Sequence, residues 1–406
     1  MTEGRLRYRL VAIPGDGVGP EVVTAAHNVL NAAARRFGFT IDWQMVRAGG
    51  VAVDEFGVAI REEDVAVCGA ADAVLLGAVG GPKWDDPTAT VRPEQALFAL
   101  RGGLGLFANL RPVTIHPAIA ATAAPVKAEL LVGVDMLIVR ELTGGLYFGA
   151  RSEASGEPGA RTASDTLPYS EPEIRRVVRL AFELARARHG RLTSVDKANV
   201  LATSRLWRTV VEDLRADFPD VEVSHQLVDS CAMLLVKQPA RFDVLVTENL
   251  FGDILSDEAS VLAGSLGLLP SASLGERRTA HGTFGLYEPI HGSAPDIAGM
   301  DVANPIGAIL SGAMLMRWSL GREDVATAIE SAVRAALDAG WRTGDLADAG
   351  DPADGLVVLG TTGFTTAVIQ RLEAAGAAEA AGAAGAAEAA GAGEAPEAAA
   401  DTATSV

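Results

Sequence analysis

The chain has 406 residues, 49% hydrophobic and 21% charged, with a formal net charge of −18. That profile belongs to a globular protein long enough for two or three domains. The acid excess argues against a nucleic-acid partner, because phosphate binding needs clustered Lys and Arg.

In chain order, "MTEGRLRYRLVAIPGDG" has no long apolar run and is not read as a signal peptide. "RLVAIPG" is strand-like, and "PEVVTAAHNVLNAAARRFG" predicts an amphipathic helix with Pro20 at its start and Gly38 past its end. Between them "IPGDGVGPE" spaces Gly15, Gly17 and Gly19 as G-x-G-x-G, not as the G-x-G-x-x-G of a dinucleotide fingerprint. It reads first as a tight structural turn and second as a ligand-facing loop. Cys68 and Cys231, the only cysteines, lie in apolar contexts and are expected to be buried, reduced thiols.

After the strand "ADAVLLGAVG" comes "RPEQALFALRGGLGLFANLRP", in which Arg101 and Arg111 flank a Gly-rich loop. Arg140 ends the strand-like "VDMLIVREL", and Gly144 and Gly145 let the backbone turn so that Arg140 and Tyr147 can face one cavity. An arginine fork suits a carboxylate bidentately. One arginine is usually a surface residue, but three beside glycine loops at strand ends make an anion site an equal reading. Tyr147 is either a packed aromatic or a proton donor beside a cation.

"SEPEIRRVVRLAFELARARHG" predicts a helix with Ser170 and Glu173 as its capping box. Lys197 in "SVDKANV" either snorkels outward or serves as a base or anion contact. Asp229 lies in "VDSCAMLLV", a helix apolar nearly all round that should be buried, within the chain or against another subunit, and a lone buried aspartate wants a cation. In "FGDILSD", Asp253 and Asp257 share one face of a helix expected to begin near Gly252. First-turn capping explains Asp253 as well as metal binding does, but it explains Asp257 poorly. Three aspartates without a His/Cys cluster fit Mg²⁺ or Mn²⁺ rather than zinc.

"YEPIHGSAPDIAGMDVANPIGAIL" suggests a ligand loop running into an apolar helix, and the uncharged run from Val302 to Met316 is too short to span a bilayer. Residues 373–406 hold Ala, Gly and Glu with six acids (Glu373, Glu379, Glu388, Glu394, Glu397, Asp401) and no apolar stripe, which predicts a disordered or fraying tail although alanine favours helix. The alternation of strands and helices before it predicts an α/β fold.

The motifs "IPGDGVGPE", "LLGAVGGPKWD", "FANLRP", "VRELTGGLYFG", "SVDKANV", "FGDILSD", "GSLGLLPSASLG" and "HGSAPDIAG" resemble, in order, those of the β-decarboxylating isocitrate/isopropylmalate dehydrogenase family, closest to its isopropylmalate branch. The resemblance spans about Leu10 to Leu372. It implies an isocitrate/isopropylmalate dehydrogenase-like fold of two α/β domains with a non-Rossmann nucleotide site. Residues 1–107 plus 264–372 would form an NAD-binding terminal domain, and 108–263 a central domain for substrate, metal and dimerisation. It further implies a cytoplasmic homodimer with shared active sites and no membrane partner.

The residue roles that follow belong to the resemblance. Arg101, Arg111 and Arg140 would hold the carboxylates of a substituted malate. Asp253 and Asp257, joined by Asp229 from the neighbouring subunit, would ligate Mg²⁺ or Mn²⁺. Lys197, also from the neighbour, would take the hydroxyl proton, and Tyr147 would protonate the enolate carbon. Leu97 and Phe98, with Val200, would face the substrate's side chain. Glu94, His291, Gly292, Ser293, Ala294, Pro295, Asp296 and Asn304 would meet NAD, with Asp296 repelling the 2′-phosphate of NADP. The implied reaction is oxidative decarboxylation of (2R,3S)-3-isopropylmalate to 4-methyl-2-oxopentanoate and CO₂, in leucine biosynthesis. The same chemistry on another 3-alkyl- or 3-arylmalate is the alternative, since Gly102, Gly103, Gly105 and Phe98 depart from the usual pattern. A catalytically idle relative is expected to lack Lys197, Tyr147 or an aspartate, and none is missing.

Overall fold

The computed structural model describes residues 6–86, 89–120, 124–347 and 355–391. The strands are Arg7–Gly15 (β1), Thr40–Met45 (β2), Ala73–Ala78 (β3), Leu106–Thr114 (β4), Asp135–Glu141 (β5), Arg151–Ser155 (β6), Thr162–Asp165 (β7), Arg191–Asp196 (β8), Glu222–Leu227 (β9), Val244–Thr247 (β10), Pro270–Arg278 (β11) and Thr283–Pro289 (β12). The helices up to the middle of the chain are Gly19–Phe37 (α1), Gly50–Phe56 (α2), Glu62–Ala70 (α3), Gln95–Gly103 (α4), Pro117–Ala120 (α5) and Glu171–Ala187 (α6). Ala202–Arg215 (α7), Val228–Lys237 (α8), Asn249–Leu262 (α9), Ile306–Trp318 (α10), Glu323–Asp338 (α11) and Thr361–Gly391 (α12) follow.

Ten strands form one sheet in the order β2-β1-β3-β12-β11-β4-β5-β10-β8-β9. Its wings are parallel, as strand–helix alternation requires, but β12-β11-β4-β5 at the centre pair antiparallel. Strands from the two ends of the chain make one wing and strands from its middle the other, and they meet where β11 pairs with β4. Both faces are covered. On β1, Leu10 and Ala12 enter one apolar cluster while Val11 and Ile13 enter another, the period-two alternation of a strand buried on both sides.

Local signals set the element ends. Pro20 opens α1 and Gly38 closes it at φ 75°. Ser170 and Glu173 form the expected capping box on α6. The first glycine loop is a structural turn: a Cβ on Gly15 would stand 1.9 Å from the Ala78 carbonyl oxygen, and one on Gly17 1.9 Å from that of Ser293. Asp16 within it accepts hydrogen bonds from the backbone N–H groups of Gly50, Val51 and Gly80 at 2.7–2.8 Å. Cys68 and Cys231 are free and buried, and burial pushes both thiols up to about 12. No helix among the described residues is long and apolar enough to cross a membrane.

The sequence reading fails for part of the tail. Residues 373–391 continue α12 as helix instead of being disordered. The helix is anchored by buried Phe364, Val368 and Leu372, and Arg36 donates to the Leu372 carbonyl at 2.9 Å and to Glu379 at 2.7 Å. Once such a nucleus exists, alanine propagates helix through isolated glycines. The rest of the expected tail, 392–406, lies outside the described residues.

Candidate active site

At the sheet centre, on one face, a cavity of about 330 Å³ is lined by Glu94, Leu97, Phe98, Arg101, Arg111, Arg140, Tyr147, Asp253, His291 and Gly292, among others. They come from elements remote in sequence. Arg101 is in the last turn of α4, Arg111 is on β4, Arg140 is near the end of β5, and Asp253 is on α9. The chain thus brings three arginines, until now separate marks along the sequence, to one place.

Buried side chains hold these arginines. Arg140 donates from Nε and Nη2 to Asn249 Oδ1 at 3.0 and 2.8 Å, and from Nη1 to Asp253. Arg111 donates to Asn109 Oδ1 at 2.7 Å, to Ser256 Oγ at 2.6 Å and to Asp257 at 3.1 Å. Arg101 faces Glu288 at 3.3 Å, and its buried Nε has no hydrogen-bond partner. Burial, reinforced by neighbouring Arg111, pulls the Arg140 guanidinium down to about 10. Crowded cations with an unmatched donor favour an arriving anion, which would relieve their repulsion.

Tyr147 follows the turn at Gly145, which needs its φ of 71° and where a Cβ would meet the Tyr169 hydroxyl at 2.7 Å. Buried Glu141 pins that turn by accepting from the Thr143 and Gly144 N–H groups at 2.8 Å each. The Tyr147 hydroxyl donates to Asp253 Oδ2 at 2.9 Å. Burial, then the Asp253 carboxylate, pushes its phenol up to about 12, so it keeps its proton at neutral pH. Phe98 on α4 meets Phe148 edge-on at 5.6 Å, so an aromatic contact crosses the mouth of the cleft.

Two expectations change. Helix α9 starts at Asn249, not near Gly252, because Glu248 caps it by accepting from Leu250 and Phe251 N–H at 3.1 and 2.9 Å. Asp253 is therefore a turn further in, where capping no longer explains it. Helix α8 is buried on one face only within this chain, through Cys231 and Leu235, while Met233 and Val236 are exposed, so burial all round would need another subunit. Its Asp229 sits in the first turn and pairs with Lys197 at 2.6 Å, a bond that lowers the carboxyl's pKa.

Lys197, Asp229 and Val200 do not line the cleft, nor do Ser293, Ala294, Pro295, Asp296 and Asn304. Asp257 adjoins it through Arg111; burial raises its pKa against that arginine's pull. Asn304 is engaged structurally, accepting from the Ile306 N–H that starts α10 and donating to Asp345. Sequence reasoning missed Asn109, Asn249, Ser256 and Glu288, which orient the arginines, and Phe148. Asn109 and Asn249 did leave a signal, as polar residues inside or abutting buried strands.

Among the described residues no three His, Cys, Asp or Glu side chains stand together as a metal site. Asp253 and Asp257 on one helix face are hard oxygen donors of the kind Mg²⁺ or Mn²⁺ takes, two of the three expected. For a nucleotide, the buried Nε2 of His291 lacks a partner and Gly292 has open space where a Cβ would stand. The donor sets fit a hard cation and a polar ligand at the His291 loop.

Residues 9–368 match the family model for isocitrate/isopropylmalate dehydrogenase. The chain is 52% identical over 369 residues to the 3-isopropylmalate dehydrogenase of Halalkalibacterium halodurans, covering 91% of this chain and 99% of that one. It is 56% identical over 341 residues to the 3-isopropylmalate dehydrogenase of Anaeromyxobacter dehalogenans, covering 84% and 95%. Among solved structures, isocitrate dehydrogenase from Methylococcus capsulatus aligns with a TM-score of 0.77 at 35% identity, over 90% of this chain and 99% of that one. A β-decarboxylating dehydrogenase from Thermococcus kodakarensis aligns at 0.70 and 38% identity, over 90% and 96%. With sequence, sheet order and cleft in agreement, the chain belongs to the isocitrate/isopropylmalate dehydrogenase family.

Proposed function

We propose that the chain carries out NAD⁺- and divalent-metal-dependent oxidative decarboxylation of (2R,3S)-3-isopropylmalate to 4-methyl-2-oxopentanoate and CO₂, a step of leucine biosynthesis in the cytoplasm. The observation that carries the reading is the convergence of Arg101, Arg111 and Arg140 with Tyr147 and Asp253 in one cleft. The three guanidiniums clamp the two carboxylates and orient C2 and C3 of the malate. Asp253 and Asp257, completed by Asp229 of a second copy, would hold the cation. That ion would supply Lewis-acid stabilisation of negative charge developing at the C2 oxygen, and NAD⁺, when bound, would supply the acceptor for the C2 hydride. Lys197 of the second copy takes the hydroxyl proton. Tyr147 keeps its proton until CO₂ has left and then donates it to C3, with Asp253 orienting the hydroxyl.

Glu94 and the 291–296 loop form the NAD side, with Asp296 exposed to receive a ribose and Asn304, a buried residue, completing the set. Residues 1–107 plus 264–372 act as the terminal domain and 108–263 as the central one. A homodimer is supported by exposed apolar side chains on α8 and α9 (Met233, Val236, Ile254, Val261) beside the metal aspartates. It is supported too by the β6–β7 ribbon, exposed at every residue, since an isolated hairpin is marginal in water. The Phe98–Phe148 contact favours a second reading, the same reaction on another 3-alkyl- or 3-arylmalate. Purified protein with NAD⁺ and Mg²⁺ or Mn²⁺ is assayed for NADH across a panel of 3-substituted malates. The highest kcat/KM should fall on 3-isopropylmalate; absent turnover there, with robust turnover on another member, overturns the substrate assignment.

A further inference from the structure

A second cavity lies behind the first, on the opposite face of the same strands. Neighbouring residues on a strand point to opposite faces. On β4, Arg111 lines the arginine cleft while Leu110 and Pro112 line the rear cavity; on β11, Ser271 faces front and Pro270 back. On β5, Arg140 and Leu137, an odd number of positions apart, divide the same way. Ile306, Leu310 and Met314 of α10 and Val333 and Leu337 of α11 face these strands across it. At about 740 Å³ it is the roomier of the two, and its walls are mostly aliphatic. That size and character suit a small-molecule site.

The charges on its lining indicate the ligand. Arg317 is matched by Glu323 and Glu330 at 2.7 and 2.6 Å, and Arg188 by Asp135 and Asp243 at 2.8 and 2.9 Å. His116 stands 3.4 Å from Asp338. Arg334, an exposed residue of α11, also lines the cavity at its open side, close enough to His116 to disfavour its protonation, and has no ion-pair partner among the described residues. One guanidinium without an ion-pair partner at the open side can receive one negative charge. A second would meet Asp135, Glu323 and Glu330 on the same lining.

We propose that the rear cavity binds a small aliphatic monocarboxylate, with its hydrocarbon body against β4, α10 and α11 and its carboxylate on Arg334. This site is distinct from the malate cleft and does not depend on the catalytic reading. Strands β4 and β5 carry walls of both cavities, so an occupant that braces them changes the setting of Arg111 and Arg140, and binding at the two sites is thermodynamically linked.

The test titrates octanoate into the full-length protein, following Trp318, which lines the cavity, by fluorescence and stoichiometry by calorimetry. One saturable site per chain is expected. Arg334→Glu should weaken octanoate about tenfold or more, the scale of a lost charge-assisted bond, while 1-octanol binds as before. Leu310→Trp, which intrudes into the cavity beside α10, should weaken binding of both. Saturating octanoate should shift KM for the malate several-fold and leave kcat nearly unchanged. Absence of saturable binding overturns the proposal, as does octanoate affinity unaltered by both variants. Binding that leaves KM unchanged overturns the linkage between the sites.

Discussion

The arginine cleft and the Lys197 patch each bond a cation to an aspartate, in opposite surroundings. Arg140, its side chain 4% exposed, is held to Asp253 and twice to Asn249. Lys197 meets Asp229 through a single bond, and that aspartate's side chain is 60% exposed. A buried, multiply bonded pair is preorganised, because breaking it strands a charge away from water. An exposed pair contributes little and exchanges partners readily. The cleft is thus preorganised, whereas the groups of the patch stay free to take other partners, as the proposed composite site requires. Exposed apolar side chains of α8 and α9 offer the face on which the proposed second copy would sit.

The largest effect tests whether the two regions work together. Lys197→Ala and Asp253→Asn should each cost about 10²–10⁴-fold in kcat. Co-expressed, the two inactive chains should regain about a quarter of wild-type activity, because half of the dimers would hold one intact composite site. No recovery in the mixed preparation, with hybrid dimers verified by mass, would mean that the patch does not serve a neighbour's cleft. Next in size, Arg140→Lys keeps the charge but loses the fork on Asn249 and Asp253. We expect kcat/KM to fall about 10- to 100-fold, while the corresponding loss for Lys197→Arg should be accompanied by unchanged malate affinity. Equal affinity losses in both variants would erase the distinction between a binding cleft and a proton-handling patch.

A smaller change addresses the cleft mouth. Phe98→Leu removes the aromatic contact to Phe148 and should shift the kcat/KM ratio between aryl- and isopropyl-substituted malates by about tenfold. An unchanged ratio would show that the pair does not sort side chains. Smallest is Glu248→Ala, which removes the α9 cap and should cost about 1 kcal/mol in thermal or denaturant unfolding. A stability matching wild type would separate the placement of Asp253 from the cap.

The α/β alternation was legible in the sequence because it rests on local periodicity and on ends such as Pro20, Gly38 and Ser170. The candidate residues were legible too, since an arginine, a tyrosine or an aspartate beside glycine or in apolar surroundings is visible one segment at a time. The antiparallel centre of the sheet was not, because pairing is decided between segments remote in sequence. Nor was the α9 cap: glutamate is a less usual N-cap than serine or aspartate, and the expected start was drawn at Gly252. Composition misjudged the first part of the tail, where packing of Phe364 and Val368 nucleates a helix that alanine then extends.

By itself, then, the sequence determined the element types, the kinds of charged group and, through its ordered motifs, the family, since each is written in short-range pattern. Only the tertiary structure decided which of those groups meet. It gathered Arg101, Arg111 and Arg140 around one cleft, set Tyr147 on Asp253, and left Lys197 with Asp229 at the surface. The physical reason is that side-chain distances follow from sheet order and strand register, which burial across the whole chain selects and no local segment encodes.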